Sequence, residues 1–291
     1  MMLRRHALRL APAALLAGVR AQTGGAARPR ILYFTRSAGF EHSVVKRNGA
    51  EPSHSDRVMI EMGRRTGFDV ECAKDGRLFD RSLDGYAAFA FFTSGDLTRP
   101  AKDGSPPMSA AGKRALLESI AAGKGFIGFH SATDTFHSPG ERYAAQAVVD
   151  PYIAMIGGEF VTHGEQQEAS LHAVSPFFYR NIGMPSEGLS FTEEWYAFKN
   201  YAKDLHVILV QETQFMKGDA YRRPNFPQTW ARMHGKGRVF YTSLGHREDV
   251  WLNPFFQALA QGGIAWALGR FDFDIAPNVD TVTPQANVLG R

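Results

Sequence analysis

Residues 123–134 read GKGFIGFHSATD, and this segment is the most informative about the predicted fold. Its apolar part, residues 125–130, predicts a strand that ends at His130. Residues 86–92 are apolar throughout, as expected of a central parallel strand that is covered on both faces. Because residues 109–122 between these two strands predict a helix, this part of the chain indicates a β-α-β arrangement.

Further elements extend outward from this centre. On the N-terminal side we expect strands at residues 30–35 and 68–73, with a helix at 54–66 between them. The C-terminal side is richer in strands and closes with a helix at residues 251–268. The sequence therefore predicts one α/β domain, a mostly parallel sheet with helices on both faces plus a β-rich insertion. The strands expected in the second half are residues 159–163, 168–173, 189–193, 206–211, 228–233 and 238–243.

The composition excludes several classes of protein. Of the 291 residues, 44% are hydrophobic and 21% are charged, which allows a sizeable core and excludes intrinsic disorder. After residue 30, no run approaches the ~18 apolar residues that a membrane helix needs. The single cysteine, Cys72, excludes an intrachain disulfide and any cysteine-based zinc or iron–sulfur site. We interpret Cys72 as a half-buried residue of the second strand.

Residues 1–21 are interpreted as a signal peptide of the twin-arginine type. Arg4 and Arg5 precede a short apolar segment, and residues 19–21 (Val-Arg-Ala) fit a small-residue cleavage site. Residues 22–29 follow as a linker, residues 30–270 as the domain and residues 271–291 as a C-terminal tail. We therefore expect a periplasmic or secreted protein.

Removal of this segment changes the charge balance. The formal net charge of the chain is +4 at pH 7, but residues 1–21 contain four arginines and no acidic residue. Of the 33 Lys and Arg residues, 29 then remain, which equals the 29 Asp and Glu residues. The basic excess belongs to the signal peptide, so we expect neither a nucleic acid partner nor an anionic membrane partner.

Four of the ten histidines follow predicted strands, and these are His42, His130, His163 and His246. Ligands of open α/β sheets bind beyond the carboxyl ends of the strands, so we expect these imidazoles to converge in one cleft. His130 and His163 are the predicted general acid and base. His42 and His246 are predicted to bind substrate.

Carboxylates lie near these histidines along the chain. Asp134 follows His130 in the same turn and is the third predicted catalytic residue. Glu193 and Glu194 end another predicted strand. Only one of the two can readily face the cleft, because adjacent side chains on a strand point to opposite faces. We predict that Glu194 faces the cleft and binds substrate.

Three aromatic residues complete the predicted substrate-binding set. Trp195 and Tyr196 follow Glu194 directly, and Trp230 lies in a later strand. Aromatic rings of this kind stack on sugar faces, and packing in a core that is rich in aromatic residues is the alternative interpretation of the same side chains.

Four segments carry a resemblance to a known family. They are residues 31–42 (ILYFTRSAGFEH), 123–134 (GKGFIGFHSATD), 193–196 (EEWY) and 227–246 (PQTWARMHGKGRVFYTSLGH). Together they resemble the ThuA-like family of trehalose-utilisation proteins over about residues 30–269. The resemblance implies a flavodoxin-like fold similar to class I glutamine amidotransferases, and a role in carbohydrate metabolism alongside a sugar oxidoreductase. Glutaminase chemistry is not expected, because residues 129–131 (Phe-His-Ser) lack the nucleophilic cysteine.

Three functions remain open at this point. The first is an exported lyase, hydrolase or isomerase that acts by acid–base chemistry, without a cofactor, on a disaccharide or glycoside or its 3-keto derivative. The second is a metal-dependent hydrolase or isomerase, in which His130, His163 and His246 hold Zn²⁺ together with a carboxylate. The third is a carbohydrate-binding protein without catalytic activity.

Overall fold

The computed structural model describes residues 27–183, 185 and 187–289. The predicted signal peptide and most of the predicted linker lie outside these residues. The strands of the described part are β1 (Arg30–Phe34), β2 (Asp69–Ala73), β3 (Ala88–Phe91), β4 (Gly125–Phe129), β5 (Glu159–His163), β6 (Gln167–Ala173), β7 (Leu189–Glu193), β8 (Tyr196–Lys199), β9 (His206–Gln211), β10 (Phe226–His234) and β11 (Gly237–Thr242). The helices are α1 (His54–Thr66), α2 (Ala110–Ala121), α3 (Pro151–Ile156), α4 (Pro176–Ile182), α5 (Glu248–Leu252), α6 (Pro254–Ala267) and α7 (Val279–Val282).

One nine-stranded sheet forms the centre of the molecule, in the order β2-β1-β3-β4-β11-β10-β9-β6-β7. The first five strands of this order pair in parallel, and the remaining neighbours pair antiparallel. β5 and β8 form a separate antiparallel pair. The predicted α/β fold is therefore confirmed, and the arrangement is consistent with a flavodoxin-like fold.

Helices cover both faces of the parallel half. A Cβ atom at Gly125 would lie 2.6 Å from the carbonyl oxygen of Ala267 in α6, and one at Gly128 would lie 3.0 Å from Cδ1 of Ile156 in α3. Residues three apart on a strand point to opposite faces, so α6 and α3 pack on opposite sides of β4. Glycine at position 125 thus allows α6 to lie directly against the strand.

The parallel strands are buried because both of their faces are covered. Every residue of β3 and β4 is buried, and so are the apolar residues of β1. Each large apolar side chain contributes roughly 1.5–3 kcal/mol when it is fully buried rather than exposed. Polar residues follow the ends of these buried strands.

The sequence predicts a β-rich insertion in the second half of the chain, but most strands of this half belong to the main sheet. β6, β7, β9 and β10 continue the main sheet, and the β5–β8 pair stands apart. β11 lies between β4 and β10 and pairs in parallel with β4. Its carboxyl end therefore lies at the same edge of the sheet as that of β4.

The helix expected at residues 251–268 is divided into α5 and α6 at Pro254. Asn253 caps α6, because its Oδ1 atom accepts a hydrogen bond from the backbone N–H of Phe255 (2.8 Å) and proline is favoured at the first helical position. Neither α6 nor any other helix within the described residues combines the length and the apolar character that a membrane crossing requires.

The predicted C-terminal tail packs on the domain along its described part, residues 271–289. Asn278 bonds the backbone of Val207 in β9 through both atoms of its amide (2.6 and 3.1 Å). Phe271 and Phe273 contact Phe178 of α4. Since these contacts bury apolar surface and satisfy backbone groups, the segment belongs to the folded domain.

Candidate catalytic site

Four side chains converge beyond the carboxyl ends of the strands. His130 follows β4 directly, His246 lies soon after β11, and His42 ends the loop that follows β1. Glu194 lies in the turn between β7 and β8. One nitrogen or oxygen atom from each of these residues lies within 4.8 Å of those of the others. We call these four residues the histidine–glutamate cluster.

One carboxylate oxygen lies at the centre of the cluster. Oε2 of Glu194 is 3.2 Å from Nδ1 of His246, 3.5 Å from Nε2 of His130 and 3.9 Å from Nε2 of His42. Nδ1 of His246 and Nε2 of His130 are themselves 3.2 Å apart. The three imidazole rings contact one another edge to face, so they surround the carboxylate oxygen on several sides.

His130 is fully buried in a strained backbone conformation. Its φ angle is 39°, in the left-handed region that residues with a side chain rarely adopt. The hydroxyl of Tyr241 donates to the carbonyl of His130 (2.7 Å), and Nδ1 of the imidazole lies 2.8 Å from the carbonyl oxygen of Ser243. Strain of this kind is concentrated at functional sites, where the surrounding structure maintains it.

Glu193 holds the loop that carries His246. Its Oε1 atom accepts hydrogen bonds from the backbone N–H groups of Gly245 (2.7 Å) and His246 (3.0 Å). The side chain is completely buried, and burial raises the pKa of Glu193 to about 7. The two neighbouring carboxylates thus point in opposite directions: Glu194 faces the histidines and Glu193 lies behind them.

The loop that carries His42 is attached to the loop after β3. The backbone N–H groups of Ala38 and Gly39 donate to the carbonyl of Ser94 (2.9 and 3.1 Å). A Cβ atom at Gly95 would lie 2.5 Å from the nitrogen of Gly39, and the φ angle of Gly95 is 72°. Glycine is therefore required at position 95 for the two loops to approach, which places His42 against His130.

Burial keeps two of the three histidines uncharged. It lowers the pKa of His130 to about 3, and it also lowers the pKa of His42. Burial acts in this direction because it disfavours the charged form of an imidazole. Both rings are therefore neutral at pH 7 and carry an unprotonated nitrogen.

Glu194 stays ionised although it is largely buried. Burial alone would raise the pKa of its carboxyl group, but the surrounding imidazoles of His130, His246 and His42 outweigh that effect and hold the pKa well below its usual range. Burial would likewise lower the pKa of His246, and contact with Glu194 outweighs burial and raises it. The cluster thus contains one permanent negative charge among three imidazoles.

His163 lies at the rim rather than in the cluster. Its Nδ1 atom is 3.4 Å from Oε1 of Glu194 and 2.9 Å from the carbonyl oxygen of Gly164. The side chain is 42% exposed, compared with 15% or less for the members of the cluster. The structure therefore groups His42, rather than His163, with His130 and His246.

Asp134 is engaged by a different histidine. Its Oδ1 atom is 2.7 Å from Nε2 of His137, and Nδ1 of the same ring is 3.3 Å from Oε1 of the buried Glu159. Asp134 therefore belongs to a second ionic group beside the cluster. The local sequence pattern carries no signal for this bridge.

We expect the His137 bridge to make stability depend on pH. Burial would lower the pKa of His137, but hydrogen bonds with Asp134 and Glu159 outweigh it and raise the pKa from 6.5 to about 9. A histidine whose pKa is higher in the folded state stabilises it fully below pH 6.5, and the effect disappears as the pH rises through 9. His137→Gln should therefore lower the melting temperature most between pH 5 and 6.5 and hardly at all near pH 9.5.

The control for this prediction is His172→Gln. His172 is exposed and lies 3.7 Å from Glu212, so its replacement should change the melting temperature little at any pH. A melting difference for His137→Gln that stays constant from pH 5 to 9.5 would contradict the assigned bridge.

The aromatic residues predicted to stack on sugars lie below the surface. Nε1 of Trp230 donates to the carbonyl of Ile156 (2.8 Å), and Nε1 of Trp195 donates to that of Gln167 (2.9 Å). Both side chains are almost completely buried, and so is Tyr196, which packs against the His130 ring. None of the three offers a free face to a sugar, so the core-packing interpretation is correct for them.

Two residues near the cluster were not anticipated from the sequence. The side-chain amide of Gln166 bonds Nε2 of His246 (2.9 Å) and accepts from Arg247 (2.9 Å). Phe40 is 66% exposed, and its ring lies 4.9 Å from that of His42. Both belong to loops whose course depends on contacts that are distant along the chain, so local patterns carry no signal for them.

We expect Cys72→Ala to leave turnover unchanged. Cys72 lies half-buried in β2, and burial together with Asp56 raises the pKa of its thiol, which keeps it protonated and unreactive. The test is turnover of the purified variant, together with alkylation of the native wild-type thiol at pH 7.5. Rapid alkylation, or lost turnover in a folded variant, would contradict this prediction.

Comparisons with known proteins agree with this architecture. A family described as trehalose utilisation, ThuA, matches residues 30–267. The structure of a ThuA-like protein from Bacteroides uniformis is similar with a TM-score of 0.59 at 17% identity, covering 86% of this chain and 95% of that chain. A ThuA-like protein from Parabacteroides merdae gives a TM-score of 0.56 at 15% identity, covering 85% and 92%. No curated protein matches the chain. At these identities, the structural similarity concerns the fold.

Proposed function

The chain belongs to the ThuA family of trehalose-utilisation proteins, and we propose that it processes a carbohydrate at the histidine–glutamate cluster. The substrate class is a disaccharide or glycoside, or the 3-keto derivative of one. The observation that carries the proposal is the convergence of three imidazoles on Oε2 of Glu194. Such a set of nitrogen and oxygen atoms suits proton transfer on a polar substrate.

Exposure decides which of these groups can touch a substrate. The side chains of His130 and His42 are at most 2% exposed, whereas those of Glu194, His246 and His163 are 14%, 15% and 42% exposed. His130, predicted as a catalytic acid or base, is thus placed beneath the reacting surface. We assign it the role of positioning Glu194, and we assign substrate contact to the three exposed groups.

His163 is the group best placed to take up a proton. Nδ1 of His163 lies 2.9 Å from the carbonyl oxygen of Gly164, an acceptor, so Nδ1 carries the hydrogen and Nε2 is the unprotonated nitrogen. Oε1 of Glu194 lies 3.4 Å from the same Nδ1 atom and stabilises the ring when it becomes charged. A histidine oriented by a carboxylate in this way is a common arrangement for a general base.

The reaction that fits this base is cleavage of a 3-keto glycoside. The keto group acidifies the neighbouring C2–H bond, so Nε2 of His163 accepts that proton and an enolate forms. The electron pair of the enolate then forms a C1=C2 double bond as the glycosidic oxygen leaves C1, and the proton held by Nε2 of His163 passes, directly or through solvent, to that oxygen. A sugar oxidoreductase that produces the keto group is the expected pathway partner.

The test is a product screen on the purified protein. Trehalose, other disaccharides and aryl glycosides are offered together with their 3-keto forms, and released sugars are followed by chromatography. We expect product from a keto form, and a rate that falls about 10²–10⁴-fold in His163→Gln. His172→Gln is the matched surface control. Saturable binding of sugars without any product would identify a carbohydrate-binding protein instead.

We also propose that the protein acts after export to the periplasm. The support is the twin-arginine signal predicted at residues 1–21 and the cleavage site at residues 19–21. N-terminal sequencing of the protein from cell fractions tests the proposal. A cytoplasmic protein that retains residue 1 would overturn it.

A further inference from the structure

We propose that the histidine–glutamate cluster binds a divalent transition-metal ion, with Zn²⁺ as the metal that its donors fit best. The inferred ligands are one nitrogen each of His42, His130 and His246 and Oε2 of Glu194. The inference specifies the chemistry of the proposed active site, and it rests on the proposed function only for the part that the metal takes in turnover.

The spacing of the donor atoms matches a tetrahedral site. Zinc lies about 2.0–2.1 Å from imidazole nitrogens, so tetrahedral ligands are about 3.3–3.4 Å apart. In the cluster, the separations are 3.2 Å for His246–Glu194, 3.5 Å for His130–Glu194 and 3.2 Å for His130–His246. The His42–Glu194 separation is 3.9 Å, so His42 needs to move inward by a few tenths of an ångström.

The hydrogen bonds of His130 present the right nitrogen to this centre. The carbonyl oxygen of Ser243 can only accept, so Nδ1 of His130 carries the hydrogen and Nε2 carries the lone pair. Nε2 then faces Oε2 of Glu194 at 3.5 Å, which places two acceptors opposite each other. A cation between Nε2 and Oε2 would be bound by both atoms and would remove their mutual repulsion. Metal-bound histidines commonly donate their other ring N–H to a backbone carbonyl in this manner.

The negative charge of Glu194 also favours a bound cation. Within the described residues, Glu194 forms ion pairs with imidazoles alone and with no Lys or Arg side chain. The Glu194 side chain is only 14% exposed and has no Lys or Arg partner among those residues, so a divalent ion beside it would stabilise the carboxylate.

The donor types narrow the choice of metal. Three imidazole nitrogens and one carboxylate oxygen suit Zn²⁺ and neighbouring transition metals, whereas Mg²⁺ and Ca²⁺ prefer oxygen ligands. The outer contacts are also of the kind found around such sites. Glu193 fixes the backbone of His246, and Ser243 fixes the ring of His130.

The experiment is calorimetric titration of the full chain with ZnCl₂ after removal of bound metal by a chelator. We expect one Zn²⁺ per chain, and visible absorption bands of a tetrahedral ion when Co²⁺ replaces it. His42→Gln and Glu194→Gln should each weaken binding by more than about 100-fold, beyond the 10–100-fold expected for the outer residue in Glu193→Gln. His163→Gln and His172→Gln, outside the cluster, should bind as the wild type does.

Several outcomes would overturn the inference. They are absence of stoichiometric Zn²⁺ and Co²⁺ binding by the wild type, undiminished binding by His42→Gln, or equal losses in His163→Gln and His42→Gln. Melting curves in chelator show that each variant is folded, and Glu194→Gln carries the test if His42→Gln fails to fold. Stoichiometric metal binding without sugar turnover would contradict only the proposed function. Sugar turnover without metal binding would contradict only the proposed metal site.

Discussion

Replacing Glu194 by glutamine is expected to reduce turnover by about 10²–10⁴-fold. The carboxylate contacts His246, His130 and His42 through Oε2 and His163 through Oε1, so one side chain connects the buried histidines with the exposed one. Glutamine keeps the shape of the side chain but loses the negative charge, and its amide nitrogen donates where the carboxylate accepts. The measurement is kcat and KM on the glycoside identified in the product screen.

The control is the same change at an exposed position of α2. Glu118→Gln should retain the wild-type rate, because Glu118 is exposed on the solvent side of that helix and is not part of the cluster. Glu194→Gln should also unfold cooperatively within a few degrees of the wild type, since its volume is unchanged. A folded Glu194→Gln protein with more than a third of wild-type kcat would exclude the carboxylate from the reaction.

Replacing Trp230 by alanine is expected to cost about 3–5 kcal/mol in the free energy of unfolding. The indole is completely buried, its ring lies 4.3 Å from that of Tyr241, and it also packs against Phe198 and Tyr201. The change leaves a large cavity and removes the donor that the carbonyl of Ile156 uses (2.8 Å). Chemical denaturation at pH 7 measures the loss.

Phe215→Ala is the matched control, because Phe215 is 78% exposed and its loss should change stability by less than about 0.5 kcal/mol. The variants Trp230→Ala and Phe215→Ala also distinguish sugar stacking from core packing as the role of Trp230. If this residue stacked on a sugar, its replacement would weaken sugar binding and hardly affect unfolding. The buried position predicts the reverse, a large loss of stability with unchanged sugar affinity in the folded fraction.

The parallel half of the fold was predictable because its signals are local. Residues 86–92 and 125–130 are apolar runs of strand length, and a helix between them leaves few arrangements. The antiparallel half was not predictable, because its strand pairs join segments that are distant along the chain. β6, for example, pairs with β9 on one side and with β7 on the other. Runs of strand length indicate such strands, but they do not show which neighbour each one takes.

The site was predictable to the extent that strand ends determine it. His130 follows the parallel strand β4 directly and His246 lies four residues after β11, and the topology brings them together. His42 lies at the end of a longer connection whose course depends on the contact between Gly39 and Gly95, and His163 ends β5, which lies outside the main sheet. This is why His42 rather than His163 completes the cluster. Trp230 was ambiguous because stacking on a ligand and packing in a core use the same ring.

The place of β11 in the sheet has a consequence for folding kinetics. β11 is the last strand in the chain, yet it lies at the junction between β4 of the parallel half and β10 of the antiparallel half. During synthesis, β4 therefore presents an unpaired edge until residues 237–242 are available, and open edges favour association between chains. The fold is thereby dominated by contacts between distant residues, which slows folding. His246 follows β11, so the histidine–glutamate cluster can form only after the whole sheet has closed.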